Sequence, residues 1–204
     1  KVVLILGDYT AKIGDPSDKL DKRPMLSDEK NKKNLKNYLE QIGMILDLDK
    51  VEIRYNSEWL KNMTFFEMSK LFECFTVQQM SKRRNFKDRL DAGADVFLVE
   101  FMYPALQGYD SVMVDADIEL GGFDQLFNLK AGRIIQKKYG KKEQDILTVS
   151  MLEGTDGRKM SSSWGNVISL LSSAYEKFGK IMALRDDLIL KYFLFATDKK
   201  VEEI

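Results

Sequence analysis

Three groups of residues in this chain have types and spacings that can do chemistry. The run Lys159-Met160-Ser161-Ser162-Ser163 lies between the turn Gly154-Thr155-Asp156-Gly157-Arg158 and Trp164-Gly165-Asn166. A lysine on a short, hydroxyl-rich, glycine-flanked loop can follow negative charge as it moves onto a leaving pyrophosphate. That is electrostatic stabilisation of a transition state, with no covalent step and no proton transfer. Because the interaction acts while charge develops, it lowers the barrier more than it tightens ground-state binding. The second group is Tyr103, Gln107 and Asp110. At about 100° per residue they fall on one stripe of a helix. Polar groups on an otherwise apolar helix either face water or are hydrogen-bonded in a pocket. In a pocket this stripe can hold a phenol and an α-amino group. The third group is Gly121-Gly122-Phe123-Asp124-Gln125, directly after the short strand Ile118-Glu119-Leu120. Glycines there let a ligand approach the backbone. A carboxylate at a helix start, beyond the carboxyl end of a strand, can accept both ribose hydroxyls of a nucleotide. Gln125 beside it can donate its amide to a carboxylate. Each group has a plainer reading by itself: a linker, a solvated helix face, an N-cap aspartate. Together they suggest activation of tyrosine with ATP.

The elements that must position these groups alternate between strand and helix patterns, as in an α/β domain with a parallel sheet. Val2-Val3-Leu4-Ile5-Leu6 is a continuous apolar run, the mark of a strand covered on both faces. Ser27 can cap a helix carrying Leu35, Tyr38, Leu39, Ile42 and Leu46 at helical spacing. Thr64 and Glu67 form a capping-box pattern ahead of a phenylalanine-rich helix. A polar stretch over 81–95 leads to the helix bearing Tyr103, with Pro104 suited to its first turn. A helix is expected from about Asp124 to Tyr139, stopped by Gly140, and a strand from Asp145 to Val149. Beyond Leu170 the pattern is helical only, with Phe178, Ile181, Met182, Leu188, Ile189, Tyr192 and Phe193 as core candidates. A change of class near residue 168 marks the expected domain boundary.

Composition narrows the chemistry. The chain has 204 residues, 32 basic and 32 acidic, so bulk attraction to nucleic acid is not expected and any RNA contact needs local patches. There is no histidine, which excludes Ser-His-Asp chemistry and the common zinc sites. The lone Cys74, among Leu71, Phe72 and Phe75, reads as a buried apolar filler. No apolar run approaches the roughly 20 residues that cross a bilayer. The cluster Lys30, Lys32, Lys33 and Lys36 reads as a solvated helix face. With Lys1 running straight into a strand and no initiator methionine, the chain is expected to be part of a longer protein, lacking both ends.

The stretches Gly7-Asp8-Tyr9-Thr10-Ala11-Lys12-Ile13-Gly14-Asp15-Pro16-Ser17, 103–110, 117–128 and 152–166 resemble the bacterial tyrosyl-tRNA synthetases, class I aminoacyl-tRNA synthetases. Similarity continues through 178–182 and 186–192, so it covers nearly the whole chain. The resemblance implies an α/β fold: a Rossmann-like parallel-sheet, nucleotide-binding catalytic domain over 1–168 whose first strand is missing. A connecting and dimer-interface region would occupy about 64–100, and a helical, all-α anticodon-binding domain would begin at 169–204. It implies that Asp110 accepts the phenolic hydroxyl of tyrosine, that Tyr103, Gln107 and Asp15 hold its α-amino group, and that Thr10 and Gln125 complete the amino-acid site. Gly121, Gly122 and Asp124 would meet the ribose, and Lys159, Met160, Ser161, Ser162 and Ser163 the phosphates. The implied reaction makes tyrosyl-adenylate from L-tyrosine and ATP with Mg2+, then transfers tyrosine to tRNA(Tyr), in a cytoplasmic homodimer with no membrane attachment and no protein-bound metal. Ser162 stands where many bacterial members carry a second lysine, Phe123 where they carry a small residue, and Asp18 where they carry glycine. The chain starts downstream of the family's His-Ile-Gly-His-like signature. By itself it is therefore expected to be weakly folded and nearly inactive. The basic stretch Lys82-Arg83-Arg84, with Lys87 and Arg89, is expected near the dimer interface and the tRNA acceptor arm, or as a solvated connector. Tryptophanyl-tRNA synthetases and a non-catalytic RNA-binding derivative are the alternatives.

Overall fold

The computed structural model describes residues 1–16, 27–161 and 164–204, without the side chain of Asp28. Ser17, Asp18, Ser162 and Ser163 lie outside the described residues. The chain divides into two compact units, Lys1–Val149 and Ser150–Ile204.

The first unit is α/β with parallel strands. β1 (Val2–Leu6) runs through α1 (Thr10–Ile13), α2 (Asp28–Ile42) and a 3-10 turn at Leu48–Lys50 into β2 (Val51–Tyr55). β2 lies parallel to β1, with Val2 opposite Val51 and Leu6 opposite Tyr55. Then come α3 (Ser57–Leu60), α4 (Phe65–Phe72), α5 (Val77–Ser81), α6 (Arg84–Asp91) and the longer α7 (Leu98–Met113). β3 (Ile118–Gly122), a 3-10 turn at Phe123–Gln125, α8 (Leu126–Lys138) and β4 (Asp145–Val149) close the unit. β3 and β4 are again parallel, Ile118 opposite Asp145 and Gly122 opposite Val149. Each parallel pair needs a helical crossover, which is why the strand and helix patterns alternate.

The helix starts follow the chemistry of their caps. Ser27 Oγ accepts the Lys30 N–H at 3.4 Å. Glu67 takes the Thr64 N–H at 2.7 Å while Thr64 Oγ1 accepts the Glu67 N–H at 3.3 Å, a complete capping box. Lys30, Lys32, Lys33 and Lys36 are exposed on α2, as expected for a solvated face.

Several expectations change. β1 is not covered along its length: Val2 is exposed and only Leu6, at the carboxyl end, is fully buried. The reason is local, since Ile5 packs with Tyr9 and Ile13 onto the cluster of Trp59, Leu60 and Leu106, and the strand's start has no such neighbours among the described residues. Pro104 is not in a first turn but buried inside α7. The helix starts earlier because Glu100 anchors its head, accepting the Phe97 N–H at 2.8 Å and pairing with Arg89 at 2.7 and 3.0 Å. The stretch 81–95 is not a solvated connector either. It holds α6, whose Phe86 and Arg89 point inward. Cys74 is half-buried at the edge of the cluster formed by Leu71, Ala105, Val112 and Ile135, rather than enclosed in it.

α7 and α8 pack so closely that a Cβ built on Gly108 would lie 2.9 Å from the backbone of Ala131 and of Gly132. Only glycine fits there. Near the head of α7, the cleft lined by Phe72, Phe75, Val77, Met80, Leu98 and Phe101 has a volume of about 120 Å³. Its rim is apolar and exposed at Val77 and Leu98, with Phe65 and Phe66 exposed on α4.

The second unit holds the lysine–serine loop, α9 (Ala174–Met182), α10 (Asp186–Ala196) and a last 3-10 turn at Val201–Glu203. Helical structure beyond residue 170 is as expected. Of the core candidates only Leu188 and Tyr192 are buried, while Phe178, Ile181, Met182, Ile189 and Phe193 are exposed; the Tyr192 hydroxyl donates to the Glu153 carbonyl at 2.7 Å, tying α10 to the base of the loop. No helix among the described residues is long and apolar enough to cross a membrane.

Candidate active site

Tyr103, Gln107 and Asp110 share a face of α7, as their spacing required. Asp110 is the buried member, 6% exposed. Trp59 Nε1 donates to its Oδ1 at 2.8 Å and Asn56 Nδ2 to its Oδ2 at 3.3 Å. Each carboxylate oxygen retains a second lone pair for a ligand hydroxyl. Burial raises the Asp110 pKa to about 7, against the Trp59 and Asn56 hydrogen bonds, with the Glu119 and Asp8 charges adding to the rise.

Asn56, on the turn between β2 and α3, is fully buried and holds this corner together. Its Oδ1 accepts the Tyr9 N–H at 2.9 Å, and its Nδ2 donates to Thr10 Oγ1 at 3.0 Å as well as to Asp110. Thr10 is likewise buried, its own proton directed to the Gly7 carbonyl at 3.3 Å. The structure thus links Thr10 to Asp110 through one amide.

A second polar cluster joins Gln107, Gln125 and Asp15. Gln125 Nε2 donates to Asp15 Oδ2 at 2.9 Å. Asn128 Nδ2 donates to Gln107 Oε1 and to Gln125 Oε1, both at 2.9 Å. Asp124 lies in the 3-10 turn that feeds α8, partly exposed, directly after Gly122. Gly121 owes its lack of a side chain partly to packing: a Cβ there would meet Leu129 at 3.3 Å and Gln125 at 3.5 Å.

In the second unit, Asn166 organises the lysine–serine loop. Its Nδ2 donates to Asp156 Oδ1 at 2.8 Å and to the Lys159 carbonyl at 3.1 Å, and its Oδ1 accepts the Ser161 N–H at 2.8 Å. Asp156 is held down at about 2 by the Asn166 amide and by Arg158, whose guanidinium sits 4.7 Å above the Trp164 ring. Lys159 is exposed and Met160 partly so. One buried amide therefore fixes the backbone on both sides of an exposed lysine. Losing several hydrogen bonds of about 1 kcal/mol each should open this loop. Asn166→Ala is expected to speed trypsin cleavage after Arg158 and Lys159 by about tenfold or more, read from timed digests. Equal rates in the two proteins would mean that something else holds the loop.

Helical and loop spacing marks the ends of these networks but not their connectors, Asn56, Trp59, Asn128 and Asn166. Asn128 had a signal, three residues after Gln125 on the same helix. Asn56 had one too, directly after the alternating run Val51-Glu52-Ile53-Arg54-Tyr55. Of the basic stretch, Arg83 and Arg89 are buried, while Arg84 and Lys87 face solvent. No group of acidic residues and cysteine among the described residues could hold a metal ion.

Comparison with known proteins gives the family. The model of the tRNA synthetases class I (W and Y) matches residues 1–204. The chain is 50% identical over 205 residues to a tyrosine–tRNA ligase of Dehalococcoides mccartyi, covering 100% of this chain and 52% of that protein. It is 47% identical over 204 residues to one of Thermotoga maritima, covering 51% of it. The chain thus spans about half the length of the relatives it matches. Among solved structures, a tyrosyl-tRNA synthetase from Archaeoglobus fulgidus, complexed with L-tyrosine, superposes with a TM-score of 0.71 at 22% identity, over 94% of this chain and 59% of that one. A tryptophanyl-tRNA synthetase from Campylobacter jejuni gives 0.63 at 23%, over 90% and 56%. Those two structures share the fold, and the family match along the full length carries the assignment: the chain belongs to the class I tRNA synthetases of the tryptophan and tyrosine group.

Proposed function

We propose that the protein carrying this chain is a tyrosine–tRNA ligase. The observation that supports this most is Asp110, a buried carboxylate held by Trp59 and Asn56 on the same helix face as Gln107. Such a group suits a ring hydroxyl, whose proton the carboxylate accepts in a charge-assisted hydrogen bond. In this reading Asp15, Gln107 and Tyr103 take the α-amino group, with Thr10 and Gln125 completing the amino-acid site. Gly121, Gly122 and Asp124 take the ribose. A carboxylate oxygen of tyrosine attacks the α-phosphorus of ATP, which enters with Mg2+, and the bond to pyrophosphate breaks. Lys159, with Met160, Ser161, Ser162 and Ser163, carries the charge that leaves. The terminal ribose hydroxyl of tRNA(Tyr) then takes the tyrosyl group and AMP departs.

Residues 169–204 read as the opening of the helical anticodon-binding domain. The exposed apolar rim at Val77 and Leu98 suits the two-fold interface of a homodimer. A cytoplasmic location follows from the proposed role in protein synthesis. The burial of Arg83 and Arg89 leaves Lys82, Arg84 and Lys87 as the members of the basic stretch available to tRNA.

Amino-acid-dependent ATP–pyrophosphate exchange by the protein that carries this chain tests the reading. Exchange driven by tyrosine and not by tryptophan is expected. Exchange driven by tryptophan would move the assignment to the other branch of the family. RNA binding without any exchange would make it a non-catalytic derivative.

A further inference from the structure

Arg83 caps the start of α6 and is only 8% exposed, in contrast with the neighbouring Arg84, whose side chain is 95% exposed. Its guanidinium lies 4.2 Å from the Phe127 ring centre and 5.1 Å from that of Phe86. Its Nη2 donates to Asn128 Oδ1 at 3.4 Å. Burial lowers its pKa to about 10, with the Asp15 charge acting in the opposite sense. Burying a cation is costly, and stacking on two rings offsets part of that cost. Nothing in the roles assigned above explains why the chain carries this cost.

The polarity of the hydrogen bonds supplies a reason. A guanidinium has only donors, so the Asn128 atom facing it must be oxygen. Nδ2 is then turned the other way, and its two protons go to Gln107 Oε1 and Gln125 Oε1. Gln125 in turn must present its nitrogen to Asp15, whose carboxylate only accepts. Asn128 is 0% exposed, so water cannot stand in for any of these partners. The cation sets the direction of Asn128, which passes it to both Gln107 and Gln125, the latter in agreement with Asp15. We infer that Arg83 is a positioning residue for the amino-acid substrate: acting through Asn128, it fixes which end of the Gln107 and Gln125 amides meets the α-amino and carboxylate groups. This role rests on the reading of the site as one that activates tyrosine.

Arg83→Met and Asn128→Asp, made in the protein that carries this chain, separate positioning from mere packing. Asn128→Asp keeps an oxygen for the guanidinium but removes both donors. Both variants are expected to raise the KM for tyrosine in pyrophosphate exchange about tenfold, with the KM for ATP within about twofold. Arg83→Lys, which keeps the charge without the planar fork, is expected to recover part of the loss. Lys137→Gln, on the solvent face of α8, should change neither KM. Unchanged tyrosine KM in both variants, with tyrosine-dependent exchange intact, would overturn the role alone. A parallel rise of both KM values with a falling melting temperature would reduce Arg83 to a structural residue. No tyrosine-dependent exchange in the unsubstituted protein would overturn the functional reading and this role with it.

Discussion

Asp110→Asn is expected to cut the preference for tyrosine over phenylalanine about a hundredfold. A site built to bond a buried hydroxyl rejects the analogue lacking it because its own polar groups are left unpaired. For tyrosyl-tRNA synthetases that rejection is known to be about 10⁵, a figure that belongs to the family and not to this chain. Here the unpaired group would be a carboxylate whose other contacts, Trp59 and Asn56, are already committed. An amide cannot replace it well. Asn56 cannot turn over to suit the new side chain, because its Oδ1 accepts the Tyr9 N–H. The ratio of kcat/KM for the two amino acids in adenylate formation should fall by roughly 10², the worth of one buried hydrogen bond to a charged group. An unchanged ratio would remove Asp110 as the group that reads the ring.

The same substitution has a signature in stability. Asp110 titrates at about 7 in the folded protein against an ordinary 3.8. Between those values the folded state holds a proton that the unfolded state has released. Stability therefore falls as pH rises from about 4 to about 7, by up to about 1.4 kcal/mol per pH unit, and levels off above. Glu119 is raised by burial too and acts in the same sense. Urea midpoints measured across that range for the parent and for Asp110→Asn isolate the Asp110 share. Their difference should narrow steadily with pH below 7 and then stay constant; a constant difference throughout would show that Asp110 is ionised in the fold at every pH tested.

Lys159→Met is the other large effect. Its side chain is exposed, and the loop beneath it is held by Asn166 through the main chain, so the substitution leaves that framework in place. What goes, in the proposed role, is the charge that would meet pyrophosphate as it leaves. Removing one such stabilising group typically costs about 10² to 10³ in rate. Ser162 in place of a second lysine leaves fewer cations in the loop to compensate. Single-turnover formation of tyrosyl-adenylate should slow by that factor, while the KM for ATP and the melting temperature stay near their parental values. If the KM for ATP rose and the rate constant held, Lys159 would be a ground-state contact instead.

Much of this was legible in the sequence. The helical spacing of Tyr103, Gln107 and Asp110 put them on one face, and the glycine pair marked the turn into α8. Ser27, Thr64 with Glu67, and Gly140 punctuated the helices where the structure has them. The connectors were not legible, for a physical reason. Asn56 meets Asp110 across 54 positions of chain, and Arg83 meets Asn128 across 45, so no local period records either contact. Pro104 misled because a proline's missing N–H suits a first turn, whereas the Arg89–Glu100 pair, which no spacing rule links, starts the helix earlier. The basic stretch read as solvated because charge is normally outside. The exceptions, Arg83 and Arg89, are the ones given aromatic rings or a carboxylate to replace water.

The crossing at Gly108 sets a scale for the whole of the proposed amino-acid site. Gln107 and Asp110 are carried by one of the two touching main chains, Asn128 by the other and Gln125 at its head, so the width of the gap they span is decided by peptide groups in contact rather than by side chains. On the proposed reading, side chains around the substrate ring could be exchanged while the distance between the two walls stays as it is. Any bulk added at Gly108 would instead act as a spacer, detuning every contact to the ligand at once.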